Sequence, residues 1–179
     1  PDNSCSVYIS VPFCPSRCDY CSFVSCTTPR LLALIPDYIV RLKQDIADIA
    51  DTVRQNGLEV RSVYVGGGTP AILEHGQIND VLDCFFKNFS DTDIKEFTFE
   101  AGRPDCITKP KLEVLKSYGI GRISVNAQTT NDAVLRYVGR NHTAKQFFDA
   151  FRLARETGFD CINTDLIAGL PSDSLESFK

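Results

Sequence analysis

Four stretches of this chain alternate apolar with polar residues. Val7, Ile9 and Val11 alternate with Tyr8 and Ser10, and Phe97 and Phe99 with Thr98 and Glu100. Ile123 and Val125 alternate with Ser124, Asn126 and then Gln128, while Ile162 and Leu166 flank Asn163 and Asp165, with Thr164 interrupting the apolar side. A fifth short stretch is Ser62-Val63-Tyr64-Val65. A strand has period 2, so each alternating stretch shows one apolar and one polar face. Helical spacing separates them. Ile39, Leu42, Ile46, Ile49 and Val53 form one stripe, opened by Pro36 and stopped by Gly57. Ile78, Val81, Leu82, Phe85 and Phe89 form a second. Leu112, Leu115 and Tyr118 form a third, with Thr108 as its cap and Gly119 past its end. Residues 131–138 read as a short helix, and Thr143 with Gln146 makes a capping-box pattern before Phe147, Phe148, Phe151 and Ala154. A last helix opens near Asp173.

Strands alternating with helices imply a parallel sheet. Parallel strands covered on both faces read as nearly continuous apolar runs, and these do not. The pattern therefore predicts an α/β fold whose helices cover one side of a curled sheet: a complete or partial (β/α) TIM-like barrel with about five parallel strands. An antiparallel sheet with one wet face is the competing arrangement, and the intervening helices argue against it.

In such barrels the working site lies at the carboxyl ends of the strands. Here the first strand runs into Cys14-Pro15-Ser16-Arg17-Cys18-Asp19-Tyr20-Cys21, the second into Gly66-Gly67-Gly68-Thr69-Pro70, and the others into Glu100, Gln128 and Asp165. A glycine triplet alone is usually a turn, and a lone Glu or Asp can be a structural acceptor. Five consecutive strands ending this way are hard to ascribe to packing. The cysteines stand at C-x3-C-x2-C, a soft-metal pattern. A structural zinc site takes four ligands, and Cys26 stands near enough in sequence to be the fourth. Three ligands around a [4Fe-4S] cluster would instead leave one iron free for a small molecule. A disulfide framework is a third use of eight cysteines, but clustered cysteines in an α/β chain of this length fit a reducing compartment, the cytoplasm. The net charge of −4 gives no electrostatic reason to expect nucleic acid. No apolar run approaches the roughly 20 residues of a membrane span, and no signal peptide opens the chain. With no Met, the chain reads as a segment excised from a longer protein, a single domain over residues 1–179.

Taken together these residues resemble the radical S-adenosylmethionine (SAM) superfamily, whose signature is this three-cysteine loop with an aromatic, Tyr20, before the last cysteine. Tyr8-Ile9-Ser10-Val11-Pro12-Phe13-Cys14, Val65-Gly66-Gly67-Gly68-Thr69-Pro70 and Asp165-Leu166-Ile167-Ala168-Gly169-Leu170-Pro171 resemble the oxygen-independent coproporphyrinogen III oxidase family. Glu100-Ala101-Gly102-Arg103-Pro104-Asp105 resembles its HemZ branch. The resemblance implies a truncated radical SAM core over 1–179, with the barrel-closing and substrate-covering segments outside it. It implies that Cys14, Cys18 and Cys21 hold three irons of a [4Fe-4S] cluster, and that SAM chelates the fourth through its amino and carboxylate groups. Gly66, Gly67 and Gly68 would let the backbone approach the methionine part. Glu100 would bind SAM, as would Tyr8, Tyr20, Thr69, Gln128, Arg140 and Asp165, and Tyr8 would stand at the catalytic position. The number of SAM molecules, one or two, stays open, and Arg140 has a plain alternative as a solvated surface residue. The implied reaction converts propionate side chains of a porphyrinogen to vinyl groups, with flavodoxin or ferredoxin as electron donor. Two departures bear on that reaction: Ser10 stands where the oxidase branch commonly has histidine, and Phe23 where it has a further cysteine. The haem-chaperone branch shares the aromatic at Phe23. A haem chaperone and a zinc-stabilised module are thus the alternative functions.

Overall fold

A computed structural model describes residues 3–23 and 25–178. Five strands, β1 (Ser4–Val11), β2 (Glu59–Gly67), β3 (Glu96–Gly102), β4 (Arg122–Val125) and β5 (Cys161–Asn163), form one sheet in the order β1-β2-β3-β4-β5. Every neighbouring pair is parallel. Among the described residues seven α-helices connect or follow them: α1 (Pro29–Leu32), α2 (Ile35–Gln55), α3 (His75–Asn88), α4 (Lys109–Ser117), α5 (Asp132–Tyr137), α6 (Ala144–Glu156) and α7 (Leu175–Phe178). Sequential parallel strands with a helical layer make the wall of a partial (β/α) barrel, and within the described residues β1 and β5 each pair on one side only.

The two faces of the sheet divide as the alternation predicts. Ile9, Val11, Val63, Val65, Phe99, Ile123 and Val125 are buried in one continuous core with Leu42, Ile46, Leu82, Phe85, Leu112 and Ala154 of the helices. Each such side chain contributes roughly 1.5–3 kcal/mol by leaving water. Aromatic contacts tie the layers: Phe85 meets Phe97 at 5.5 Å, and Phe86 stacks between Phe97 at 5.6 Å and Tyr118 at 5.4 Å. On the other face, Ser10 lies beside Gly66, Glu100 beside Ser124, and Ser124 beside Asn163. That row carries polar groups and no apolar side chain, so it cannot join the core.

Three details differ from the sequence pattern and one agrees with it. Ile49 is 48% exposed, and Ala50 takes its place in the buried stripe of α2, because a 3.6-residue period drifts off a strict 3-4 stepping. Thr108 occupies the N-cap of α4, but its side chain makes no capping hydrogen bond. The capping box of Thr143 and Gln146 on α6 is complete. The last strand stops at Asn163 rather than running on through the alternation at Asp165 and Leu166. There the Thr164 hydroxyl donates to the Val125 carbonyl at 2.9 Å, a side chain replacing a ladder N–H. Pairing then resumes: Gln128 N donates to Asp165 O, and Ile167 N to Gln128 O, both at 2.8 Å.

Candidate functional site

Past the carboxyl ends of the strands lies a cavity of about 220 Å³ lined by Cys14, Cys18, Tyr20, Cys21, Gly67, Gly68, Thr69, Glu100, Gln128, Arg140 and Asp165. These are the sequence-predicted residues with two exceptions. Gly66 lies on the polar face but is covered by its neighbours: a β-carbon there would come within 2.5 Å of the Tyr64 ring and 2.8 Å of Glu100 Oε2. Tyr8 stands on the open polar face, 55% exposed and stacked on Tyr64 with ring centroids 5.8 Å apart. The cavity wall also includes Ser16, Phe23, Ser25, Gly102, Arg103 and Asn126, which no motif singled out as ligands. Only Asn126 had a readable signal, its place on the polar side of a strand. A larger hollow of about 400 Å³ lies at the opposite, amino-terminal ends of β3 to β5, lined by residues such as Lys95, Glu96, Arg122 and Cys161. The chemistry-bearing side chains are not there, and in (β/α) walls that end serves stability.

The cysteine loop is held from two sides. Asp19 N donates to Val138 O at 3.1 Å, and Ser16 Oγ donates to Gly139 O at 2.8 Å. Gly139 is in the left-handed region, φ +76°, and a β-carbon on it would lie 2.6 Å from the Arg17 carbonyl oxygen. Gly139→Ala is therefore expected to cost about 1–3 kcal/mol of stability, by backbone strain and by pushing the loop away. Denaturant titration measures it, and an unchanged midpoint would contradict the docking. On the other side Gly68 abuts the loop, where a β-carbon would meet Phe13 O at 2.7 Å and Cys14 Sγ at 2.9 Å.

The sulfurs are surrounded by donors. Thr69 Oγ1 donates to Cys14 Sγ at 3.4 Å, and Arg103 Nη1 to Cys18 Sγ at 3.6 Å, with Arg140 Nη1 at 4.0 Å from the same sulfur. Burial pushes the Cys14 thiol up, while Thr69 and Arg103 pull it back. Tyr20 is likewise raised by burial. Arg140 is no surface residue: it is 6% exposed, its Nη2 donates to Asn126 O at 2.8 Å, and its Nε has no partner among the described residues. Behind it the buried His142 is lowered to about 4, first by burial and then by Arg140, so its ring is neutral.

Acidic groups also line the cavity. Glu100 is raised by burial and by the Asp165 carboxylate, and lowered by the Tyr64 hydroxyl and the Gly67 N–H. Asn163 Nδ2 donates to Asp165 Oδ1 at 2.9 Å. Gln128, at φ +64°, is turned into the cavity by a backbone conformation uncommon outside glycine.

These donor sets fit an iron-sulfur cluster better than a zinc ion. Among the described residues no three His, Cys, Asp or Glu side chains are grouped closely enough to hold one metal ion. A tetrahedral zinc needs such a group, with Zn–S bonds of about 2.3 Å, whereas a cluster gives each thiolate its own iron. Cys26, the proposed fourth zinc ligand, packs its side chain against the core and lies outside the cavity. All eight cysteines are free, so the disulfide framework is not formed. No helix among the described residues is long and apolar enough to cross a membrane.

Residues 8–179 match the family model described as the radical SAM superfamily. The chain is 35% identical over 175 residues to the oxygen-independent coproporphyrinogen-III oxidase-like protein HemZ of Bacillus subtilis, covering 97% of this chain and 35% of that protein. It is 34% identical over 176 residues to the heme chaperone HemW of the same organism, covering 97% of this chain and 45% of that one. Among solved structures it resembles coproporphyrinogen III oxidase (HemN) from Escherichia coli, described as a radical SAM enzyme, with a TM-score of 0.83 and 32% identity over 97% of this chain and 39% of that one. The chain thus spans less than half the length of each of these relatives.

Proposed function

The chain belongs to the radical SAM superfamily, and from that premise we propose that its cavity holds a [4Fe-4S] cluster and SAM for the oxidative decarboxylation of coproporphyrinogen III to protoporphyrinogen IX. Family membership carries the cofactor pair; the residue assignments and the substrate are our reading. When bound and reduced by one electron, the pair supplies a 5′-deoxyadenosyl radical, which can abstract hydrogen from a propionate side chain. Cys14, Cys18 and Cys21 would each bind one iron. Gly67 and Gly68 keep that wall free of side chains, so the methionine part can approach the backbone. The unpartnered Nε of Arg140 is available to a carboxylate. Glu100 would accept from ribose hydroxyls, with Tyr20, Thr69 and Gln128 lining the remainder. Tyr8, on the exposed polar face, would meet substrate rather than cluster, and Gly66, having no side chain, would leave room for the Glu100 carboxylate.

The observation that carries this reading is the opposition within one cavity of three thiols, two buried guanidinium groups and the Glu100–Asp165 pair. SAM has a sulfonium and an ammonium against one carboxylate, so its net charge is positive and complements the acidic side. The test is anaerobic reconstitution with iron and sulfide, then dithionite and SAM, with 5′-deoxyadenosine measured. Production of 5′-deoxyadenosine is expected, and its absence from cluster-loaded protein would refute the radical chemistry. A haem chaperone is the second reading. It is supported by the similarity to HemW and by Phe23, 59% exposed at the cavity wall in place of a further cysteine. Haem binding without decarboxylation of coproporphyrinogen III would select it. We also read residues 1–179 as the core of a longer protein in a reducing cytoplasm, its electron supplied by a flavodoxin or ferredoxin and its substrate covered by segments outside this chain.

A further inference from the structure

Arg103 is 3% exposed at the carboxyl end of β3. Its Nε and Nη2 donate to the two carboxylate oxygens of Asp105 at 3.1 and 3.3 Å. Nη2 also donates to Ser16 Oγ at 3.1 Å, and Ser16 Oγ in turn donates a hydrogen bond to Gly139 O at 2.8 Å. Asp105 alone would satisfy the buried charge. The fork is nevertheless turned so that the remaining nitrogen, Nη1, lies 3.6 Å from Cys18 Sγ. A thiol is a weak acceptor, whereas an ionised sulfur makes the stronger charge-assisted bond. The arrangement therefore suits a negatively charged Cys18 sulfur, and Arg103 holds the plane of its donor by three anchors on two elements.

Resting on the reading that Cys18 binds an iron, the geometry points to Arg103 as a positioning residue that raises the reduction potential of the cluster. A hydrogen bond to a ligating sulfur, together with a nearby positive charge, favours the state with one more electron. Arg140, at 4.0 Å from the same sulfur, is spent chiefly on Asn126 O at 2.8 Å. Lysine in place of Arg103 would keep the charge, but its single ammonium on a flexible stem cannot hold Asp105, Ser16 and the sulfur in one plane.

The experiment compares reconstituted wild type, Arg103→Lys and Arg103→Gln. It reads iron content, circular dichroism and the midpoint potential from a dithionite titration followed by electron paramagnetic resonance. Both variants should stay folded. The midpoint should move to more negative values in the Lys variant and further in the Gln variant. A folded variant that loses its iron while wild type keeps it would overturn the proposal, because Arg103 would then be a clamp on the loop and not a group that sets the potential. Unchanged potential and iron content in both variants would overturn it. So would unfolding of both, which would make Arg103 a support of the wall and nothing more. Failure of wild type itself to bind four irons would sink the cluster reading, a result distinct from any of these.

Discussion

Replacing any one of Cys14, Cys18 or Cys21 by alanine is expected to abolish uptake of the four-iron cluster. The measurement is iron content and the broad thiolate-to-iron absorption after anaerobic reconstitution. A three-cysteine site has no spare ligand, and the surrounding cavity offers hydroxyls, guanidinium groups and carboxylates but no further thiol. Controls come from the other cysteines. Cys26 packs on the core, and Cys84 donates to the Lys43 carbonyl between helices. Cys161 lies exposed at the amino end of β5. Cys106 is the hardest control, because it follows Asp105 closely and its thiol is pushed up to about 11, first by burial and then by that carboxylate. It does not line the cavity that holds the other three thiols. Alanine at Cys26, Cys84, Cys106 or Cys161 should leave iron binding intact. Stoichiometric zinc retained in place of iron after anaerobic purification would overturn the assignment.

The wall and the position of the cavity were legible because they rest on periods. Alternation at Val7 to Val11 and at Phe97 to Glu100 sorts faces without knowledge of any partner, and the observed register follows it. The three thiols were legible because they are close in sequence. Arg103 was not, because its importance lies in contacts 85 and 87 residues away, with Cys18 and Ser16. Nothing local distinguishes a buried arginine from a solvated one, and Arg140 shows the same difficulty. The end of β5 failed for a different reason: Thr164 on the apolar side was visible, but its hydroxyl's capture of the Val125 carbonyl is a choice between two acceptable hydrogen bonds that sequence does not decide. Gln128 reached the cavity through a left-handed backbone, where strand alternation alone would have put it there by an unbroken strand.

Glu100→Gln is expected to lower SAM affinity by about 1.5–3 kcal/mol, roughly tenfold to 150-fold, the worth of hydrogen bonds to a charged group. Iron content should not change. The structure sharpens this expectation, because it removes one competing partner for Glu100. If that carboxylate supported the wall, Arg103 was its natural partner, but Arg103 pairs with Asp105. Glu100 instead faces Asp165 across the cavity and is raised by burial and by that carboxylate. An acid whose folded pKa is raised favours the fold fully below the ordinary carboxylate range, and that stability is lost as pH rises through the raised value. Above that value the charge of Glu100 disfavours the cofactor-free fold, and the uncharged glutamine should leave its stability equal or higher. A cation between the two carboxylates offsets the same charge, so charge and hydrogen bonding act together in binding SAM. Calorimetric titration of the cluster-loaded variant with SAM, paired with a denaturant melt of the cofactor-free variant, reads both halves. Unchanged SAM affinity with lost stability would return Glu100 to a structural role; weakened affinity with undiminished stability is the signature of a residue kept for its ligand.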